Sequence, residues 1–203
     1  IEPDIKAVIA VYGNGWIHWW KTFNVFPYAL PYVEPTFTDG NNYYITTLEP
    51  QSYAKSSTAP VLWLTSTNDF HGNFDRGFRN FEISPAGGGF AFKVNSSHDI
   101  TGLEQNIQLW FDYKLKGTIA TWPSSPNTIP SLVASGANTG YPKVTVTPSD
   151  AANVSAIQIY YALETADWQN RTWLTATTTN NGDGTWSAET PCFNISGYVF
   201  AYA

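Results

Sequence analysis

The feature that most constrains this chain is a pair of buried-strand patterns, each followed by a polar loop that carries a titratable side chain. Residues 60–64 form a short, apolar, β-rich run, and the loop after it ends at Asp69. Residues 90–94 form a second such run, and its loop ends at His98. A helix-length stretch from 73 to 83 separates the two runs, which is the order of parallel strands joined by a helical crossover. Because parallel strands end at the same sheet edge, we expect the Asp69 carboxylate and the His98 imidazole to lie close together.

The segments on either side extend this α/β pattern. Residues 5–11 predict a further buried strand, and residues 103–115 predict an amphipathic helix with Gly117 at its C-terminal cap. The apolar positions of that helix are Leu103, Ile107, Trp110, Phe111 and Leu115. Residues 1–117 are therefore predicted to form a parallel sheet with helices.

The connection between the first two predicted strands, residues 16–50, lacks regular periodicity and is crowded with aromatic side chains and prolines. A connection of this length inside a compact domain is usually functional. We interpret it as an insertion above the sheet edge whose rings wall a substrate pocket, with Trp16 and Trp19 as candidate substrate-binding residues. Ordinary core packing is the alternative for each ring. His18 could also touch a substrate, although a packed or surface histidine is the simpler interpretation.

The second half of the chain differs in composition from the first. Residues 118–140 are rich in Pro, Ser, Thr, Asn and Gly, which predicts a linker. Residues 141–203 contain short β-rich segments at regular spacing, and Asn-Asn-Gly-Asp-Gly at 180–184 is a strong hairpin signal. The pattern is typical of a small all-β sandwich of the immunoglobulin or fibronectin type. The predicted strands fall short of the about seven that such a sandwich uses, so the module is expected to be incomplete.

Composition excludes several classes of protein. Charged residues make up 13% and hydrophobic residues 43% of the chain, which predicts a globular rather than a disordered protein. The net charge of −6 disfavours nucleic acid as a partner, and no apolar run is long enough to span a membrane. The single Cys192 cannot form an internal disulfide. No histidine pair or carboxylate cluster has metal-ligand spacing, and no cofactor is expected.

Three stretches together resemble the second half of the α/β-hydrolase catalytic domain, in particular the secreted acetyl xylan esterase-like and dienelactone-hydrolase-like branch, some members of which carry a C-terminal β-sandwich. They are IKAVIAVYG at 5–13, APVLWLTSTNDFH at 59–71 and SSHDITGLEQNIQLWFDYKLKG at 96–117. The family's catalytic triad comes in the order nucleophile, acid, histidine. The resemblance implies that Asp69 is the acid and His98 the histidine. It places His71 in a loop near the acid, as a candidate substrate-binding residue.

The family's nucleophile motif, G-x-S-x-G, does not occur in the sequence. In the family's order it precedes the strand at 5–11, so we expect the serine and the oxyanion-hole amides in an upstream segment or on a companion polypeptide. The sequence contains no Met and starts almost directly on a predicted strand, which favours a piece of a longer protein. Ser66, Ser96 and Ser97 are predicted to be structural loop hydroxyls.

The chemistry of a triad explains why an acid and a histidine are wanted here. The imidazole takes the serine proton, and the carboxylate fixes the imidazole tautomer and stabilises its cation. We therefore predict His98 as the base and Asp69 as the residue that orients it. Asp99 and Asp75 are nearby alternatives for the acid, but neither follows a predicted strand end.

The leading hypothesis is part of an exported serine hydrolase, secreted or periplasmic. Ester hydrolysis, on an ester or carbohydrate-linked substrate, is favoured over peptide hydrolysis. Export is favoured by the low charge and by the resemblance to secreted enzymes. The alternative is a non-catalytic, hydrolase-derived scaffold that binds a glycan or a protein. In such a scaffold Trp168, Trp173 and Trp186 could stack on sugar rings, although filling a small core is the more common role of such residues.

Overall fold

The computed structural model of the chain describes residues 4–12, 15, 47, 49–70, 74–84, 87–163, 168–191 and 199–202. The chain divides into two compact units. The first comprises Ile1–Trp122 together with Ala166–Asn170, and the second comprises Pro123–Thr165 and Arg171–Ala203. The structure has mixed α/β content, with a parallel sheet in the first unit and antiparallel sheets in the second.

Within the described residues, the first unit is built on a parallel sheet of three strands in the order β1-β2-β3. These are β1 (Val8–Val11), β2 (Val61–Ser66) and β3 (Gly89–Lys93), and β2 pairs with both neighbours in parallel. All six residues of β2 are buried, as predicted for a strand covered on both faces. The three strands predicted in this half of the chain are present, although β1 begins at Val8 rather than at residue 5.

The helices that the structure describes in the first unit cover both faces of β2. They are α1 (Pro50–Ala54), α2 (Phe74–Ile83) and α3 (Glu104–Phe111). Successive side chains of a strand point to opposite faces, so two separate cores form. Trp63 packs with residues of α1 and α2 on one face, whereas Leu62 and Leu64 pack with Trp110 of α3 on the other.

The predicted helix at 103–115 changes character near its end. After Phe111 it continues as a π-helical turn, Asp112–Lys116, and stops at Gly117 in the left-handed conformation (φ 64°). The predicted cap at Gly117 is therefore confirmed. The apolar stripe does not reach Leu115, whose side chain is 56% exposed. A π-turn holds more residues per turn than an α-helix, so the register that places Trp110 and Phe111 on the core no longer applies to Leu115.

Within the described residues, the second unit contains seven strands in two antiparallel sheets, so the predicted shortfall in the number of strands is not observed. One has the order β4-β5-β9-β8, from Asn127–Leu132, Pro142–Thr147, Trp186–Glu189 and Thr178–Asn180. The other has the order β10-β6-β7, from Val199–Tyr202, Ile159–Leu163 and Leu174–Ala176. Their buried side chains share one core, formed by Val146, Ile159, Tyr161, Ala176 and Ala188. The hairpin predicted at 180–184 is confirmed, because β8 and β9 pair antiparallel across it.

The interval 118–140 differs from the predicted linker because it contains β4, which pairs with β5 along its whole length. All six residues of β4 are exposed, and β4 lies at the edge of its sheet. An edge position tolerates Pro130, whose missing N–H would break a ladder in a central strand. The proline-rich composition that predicted irregular structure is therefore compatible with a strand here. The two units divide after Trp122, inside the same interval.

None of the helices in the described part of the chain has the length and apolar character needed to cross a membrane.

Candidate functional site

The acid loop, residues 67–70, follows directly on the central strand β2. The Asp69 side chain is fully buried. Backbone hydrogen bonds fix the loop: the Asp69 amide donates to the Ser66 carbonyl (3.3 Å) and the Asn68 amide to the Ser96 carbonyl (3.0 Å). The second of these bonds joins the acid loop to the loop after β3. The two loops are thus held together at the carboxyl ends of neighbouring parallel strands.

Hydrogen bonds to the acid loop and to the end of β2 also fix the histidine loop, residues 94–100. Asn95 takes a positive φ of 50°, a conformation that Asn adopts more readily than most residues, and its amide donates to Thr67 Oγ1 (2.9 Å). Ser66 Oγ donates to the backbone carbonyl of Asp99 (2.5 Å). Ser66 therefore has the structural role predicted for it, because its hydroxyl closes the histidine loop onto the end of β2.

The two loops bring the Asp69 carboxylate and the His98 imidazole into contact. His98 Nδ1 lies 3.2 Å from both Oδ1 and Oδ2 of Asp69. The carboxylate is fully buried, whereas the imidazole side chain is 34% exposed. A carboxylate can only accept, so this contact favours the tautomer with the proton on Nδ1 and the basic lone pair on Nε2. The arrangement can accept a proton at one end of the ring while the other end is oriented by a negative charge.

The end of β1 supplies a residue that sequence reasoning missed. The ring of Tyr12 stacks on the His98 ring, with centroids 3.8 Å apart and planes inclined by 29°. The ring of Phe70 also lies beside the imidazole of His98, with the two ring centroids 5.0 Å apart. Tyr12 has a φ of 58°, which is rare for an aromatic residue, and such strained backbone clusters at functional sites. The signal available in the sequence was its position: Tyr12 is the first residue after a strand that neighbours the acid-bearing strand.

The surroundings of Tyr12 keep its phenol protonated. Burial is the main cause that raises the pKa of Tyr12 above its usual value, and the carboxylates of Asp69 and Asp99 add to it. A backbone hydrogen bond from Ile100 acts in the opposite direction. A neutral ring therefore covers one face of the imidazole.

A pair of substitutions separates the backbone strain at Tyr12 from the ring contact. Tyr12→Gly and Tyr12→Ala both remove the stack on His98, but glycine adopts a φ of 58° without a Cβ penalty. We expect the glycine variant to be more stable than the alanine variant by about 1 kcal/mol in urea unfolding. Tyr53, an exposed residue of α1, is the matched control, since glycine should be worse than alanine there. If the glycine and alanine variants rank in the same order of stability at Tyr12 and at Tyr53, the backbone at Tyr12 is not strained.

The alternative acids occupy other environments. The Asp99 carboxylate accepts from Lys93 Nζ and from the Thr101 amide (2.8 Å), and these hydrogen bonds, led by Lys93, hold its pKa well below the usual range. Asp75 lies in the first turn of α2. Asp69 is thus the acid that the structure brings to His98, and Asp99 serves as an ion-pair partner.

Several predicted site residues lie outside the described part of the chain. These are the candidate substrate-binding residues Trp16, Trp19 and His71, together with His18 and most of the aromatic insertion at 16–50. Among the residues that are described, no group of three or more His, Cys, Asp or Glu side chains could hold a metal ion.

The tryptophans proposed as sugar platforms are mostly buried. Trp168 is 0% and Trp173 3% exposed, so neither ring can stack on a ligand from solvent. Trp186 in β9 is partly exposed. Trp168 and Trp173 are therefore core residues, which is the more common role of such rings, and they form no exposed aromatic row with Trp186.

Comparison of the chain with family models, with curated proteins and with solved structures gave no match.

Proposed function

We propose that this chain is the acid-and-base part of an exported serine hydrolase of the α/β-hydrolase type, acting on an ester or a carbohydrate-linked ester. The observation that carries the proposal is the contact of His98 Nδ1 with both oxygens of the fully buried Asp69 carboxylate. A buried carboxylate against a partly exposed imidazole is the pairing that activates a serine hydroxyl.

The position of the pair within the first unit supports the proposal. Asp69 follows the central strand and His98 follows its neighbour, so both lie at the carboxyl edge of the parallel sheet. Ligands of open α/β sheets bind at this edge. Helices on both faces of β2 are also what a hydrolase-type sheet requires. For the second unit, the shared core of two antiparallel sheets supports a sandwich of the immunoglobulin or fibronectin type.

The proposed reaction begins with a serine Oγ attacking the carbonyl carbon of the ester. The new Oγ–C bond forms as the carbonyl π pair moves to oxygen, and the serine proton passes to His98 Nε2. Asp69 stabilises the imidazolium and keeps its ring in place. His98 then returns the proton to the departing alkoxide, leaving an acyl-serine. Water repeats the sequence with His98 as base again and releases the acid.

The nucleophile in this proposal comes from outside the numbered residues. The sequence holds no G-x-S-x-G motif, and Ser66 is engaged with the Asp99 carbonyl. We therefore assign the serine and the oxyanion-hole amides to an upstream segment or to a companion polypeptide. A glycan-binding scaffold has less support, because two of its three candidate platform rings are buried.

A fluorophosphonate probe tests the proposal, because it reacts much faster with an activated serine than with an ordinary one. In the protein that includes the segment or partner chain, we expect one labelled serine outside residues 1–203. His98→Gln should slow the labelling by about 100-fold or more. Heat-denatured protein is the control for non-specific labelling. Labelling of a serine within residues 1–203, or a His98→Gln variant that labels as fast as the parent, would overturn the assignment.

A further inference from the structure

A short segment far along the chain contacts the acid loop. Trp168–Asn170 forms a 3-10 turn that lies between β6 and β7 in the sequence but belongs to the first unit. Trp168 is fully buried, and its indole Nε1 donates to the backbone carbonyl of Asp69 at 2.8 Å, across a sequence separation of 99 residues. The carbonyl that it binds belongs to the residue whose carboxylate meets His98.

The contact is reciprocal. While Trp168 donates to the backbone of Asp69, the side-chain amide of Asn68 donates to the backbone carbonyl of Gln169 at 3.0 Å and to that of Trp168 at 3.4 Å. Hydrogen bonds thus run in both directions between the acid loop and the turn. Asn68 Oδ1 also accepts from Thr67 Oγ1 (2.6 Å), which orients the amide so that its nitrogen faces the turn. Two independent donors, one on each side, define a fixed relation between Trp168 and Asp69.

We infer that Trp168 is a positioning residue for the acid, and that Trp168–Asn170 and Asn68 form a clamp on the acid loop. The catalytic role in this inference rests on the proposed function, whereas the hydrogen bonds of the clamp are observed independently of it. Asp69 can orient His98 only if its backbone is held while the imidazole exchanges protons, because a small displacement of a catalytic group lowers its efficiency steeply. Backbone hydrogen bonds to the carbonyls of Ser66 and Ser96 hold the acid loop on the sheet side. The clamp adds hydrogen bonds from a segment about 100 residues further along the chain. The Trp168–Asn170 turn is therefore needed to maintain the geometry of the Asp69–His98 pair.

The test replaces Trp168 by phenylalanine, which keeps an aromatic ring in the buried site and removes the indole N–H. Amide hydrogen exchange at Asn68 and Asp69 is expected to become about five- to tenfold faster, because one buried hydrogen bond to the loop is lost. The Nδ1 proton resonance of His98 should broaden as its carboxylate partner moves. The chain contains only three histidines, so a His98→Gln spectrum identifies this signal.

Trp110→Phe is the matched control. Trp110 is also fully buried, and among the described residues its Nε1 has no hydrogen-bond partner. The same change of ring there should alter acid-loop exchange by less than about twofold. If Trp168→Phe fails to fold, Asn68→Asp provides the second variant, since it keeps the size and the acceptor of Asn68 and removes its donor. Faster acid-loop exchange in Trp168→Phe or Asn68→Asp, but not in Trp110→Phe, supports the clamp.

The outcomes for the clamp and for the proposed function are separable. A Trp168→Phe variant with the exchange rates and the His98 signal of the parent would overturn the clamp and leave the hydrolase proposal standing. A parent protein in which His98 shows no carboxylate-bound Nδ1 proton would count against the hydrolase proposal. Acid-loop exchange would still decide the clamp in that case.

Discussion

Replacing Asp69 by asparagine is expected to lower kcat for ester hydrolysis by about a thousand- to ten-thousandfold, with a much smaller change in KM. Asparagine has the shape of aspartate, but its amide cannot stabilise an imidazolium, and it can donate to His98 Nδ1. The imidazole would then carry its proton on Nε2 and could not accept the serine proton. The measurement is hydrolysis of a simple aryl ester by the protein that includes the proposed nucleophile segment or chain, with thermal unfolding to show that the variant is folded.

Two other aspartates provide matched controls for that experiment. Asp75→Asn changes a carboxylate in the first turn of α2, and Asp99→Asn changes one that is bound to Lys93 and Thr101 rather than to the imidazole. We expect kcat to stay within about threefold for Asp75→Asn, and to fall far less for Asp99→Asn than for Asp69→Asn. If Asp99→Asn gives the largest loss, the assignment of the acid is wrong.

Truncation of Trp110 to alanine is expected to destabilise the first unit by about 3–5 kcal/mol. Trp110 is fully buried and packs against Leu62 and Leu64. Its ring packs edge to face on that of Trp122, with the centroids 4.9 Å apart and the planes inclined by 82°. Removing the side chain leaves a cavity beneath the central strand that the surrounding helix and strand can fill only in part. Urea unfolding followed by circular dichroism measures the change in free energy.

Leu115→Ala is the control for the Trp110 truncation. Leu115 lies in the π-helical turn after α3 and is more than half exposed, so its truncation should change the free energy of unfolding by less than about 0.5 kcal/mol. Similar losses for Trp110→Ala and Leu115→Ala would contradict the packing of this face of β2.

The parts of the fold that could be predicted are those fixed by local pattern. The apolar run that became β2 is hydrophobic on both faces, and β3 follows a helix-length segment, so parallel pairing was the natural outcome. Parallel pairing in turn placed Asp69 and His98 at one edge. Their contact required only that each polar loop follow its strand within a few residues.

The parts that could not be predicted depend on geometry that the local pattern does not record. The stack of Tyr12 on His98 needs a positive φ that the sequence does not announce, since the neighbouring glycines are the residues expected to take it. The bond from Trp168 to Asp69 spans 99 residues and joins segments with unrelated patterns. The π-turn after Phe111 shifts the helical register and exposes Leu115 against its apolar spacing.

Pro130 in β4 bears on how copies of this protein behave at high concentration. An outermost strand offers unpaired amides and carbonyls to any neighbouring molecule, and such strands seed aggregates when they are flat and continuous. Proline contributes no donor, so a second polypeptide laid along Asn127–Leu132 meets an interruption in the middle of the row. The strand also exposes two apolar side chains, Ile129 (53%) and Leu132 (66%), which would favour association with another molecule. Pro130, which contributed to the prediction of a linker, thus opposes the pairing of β4 with a strand of another molecule.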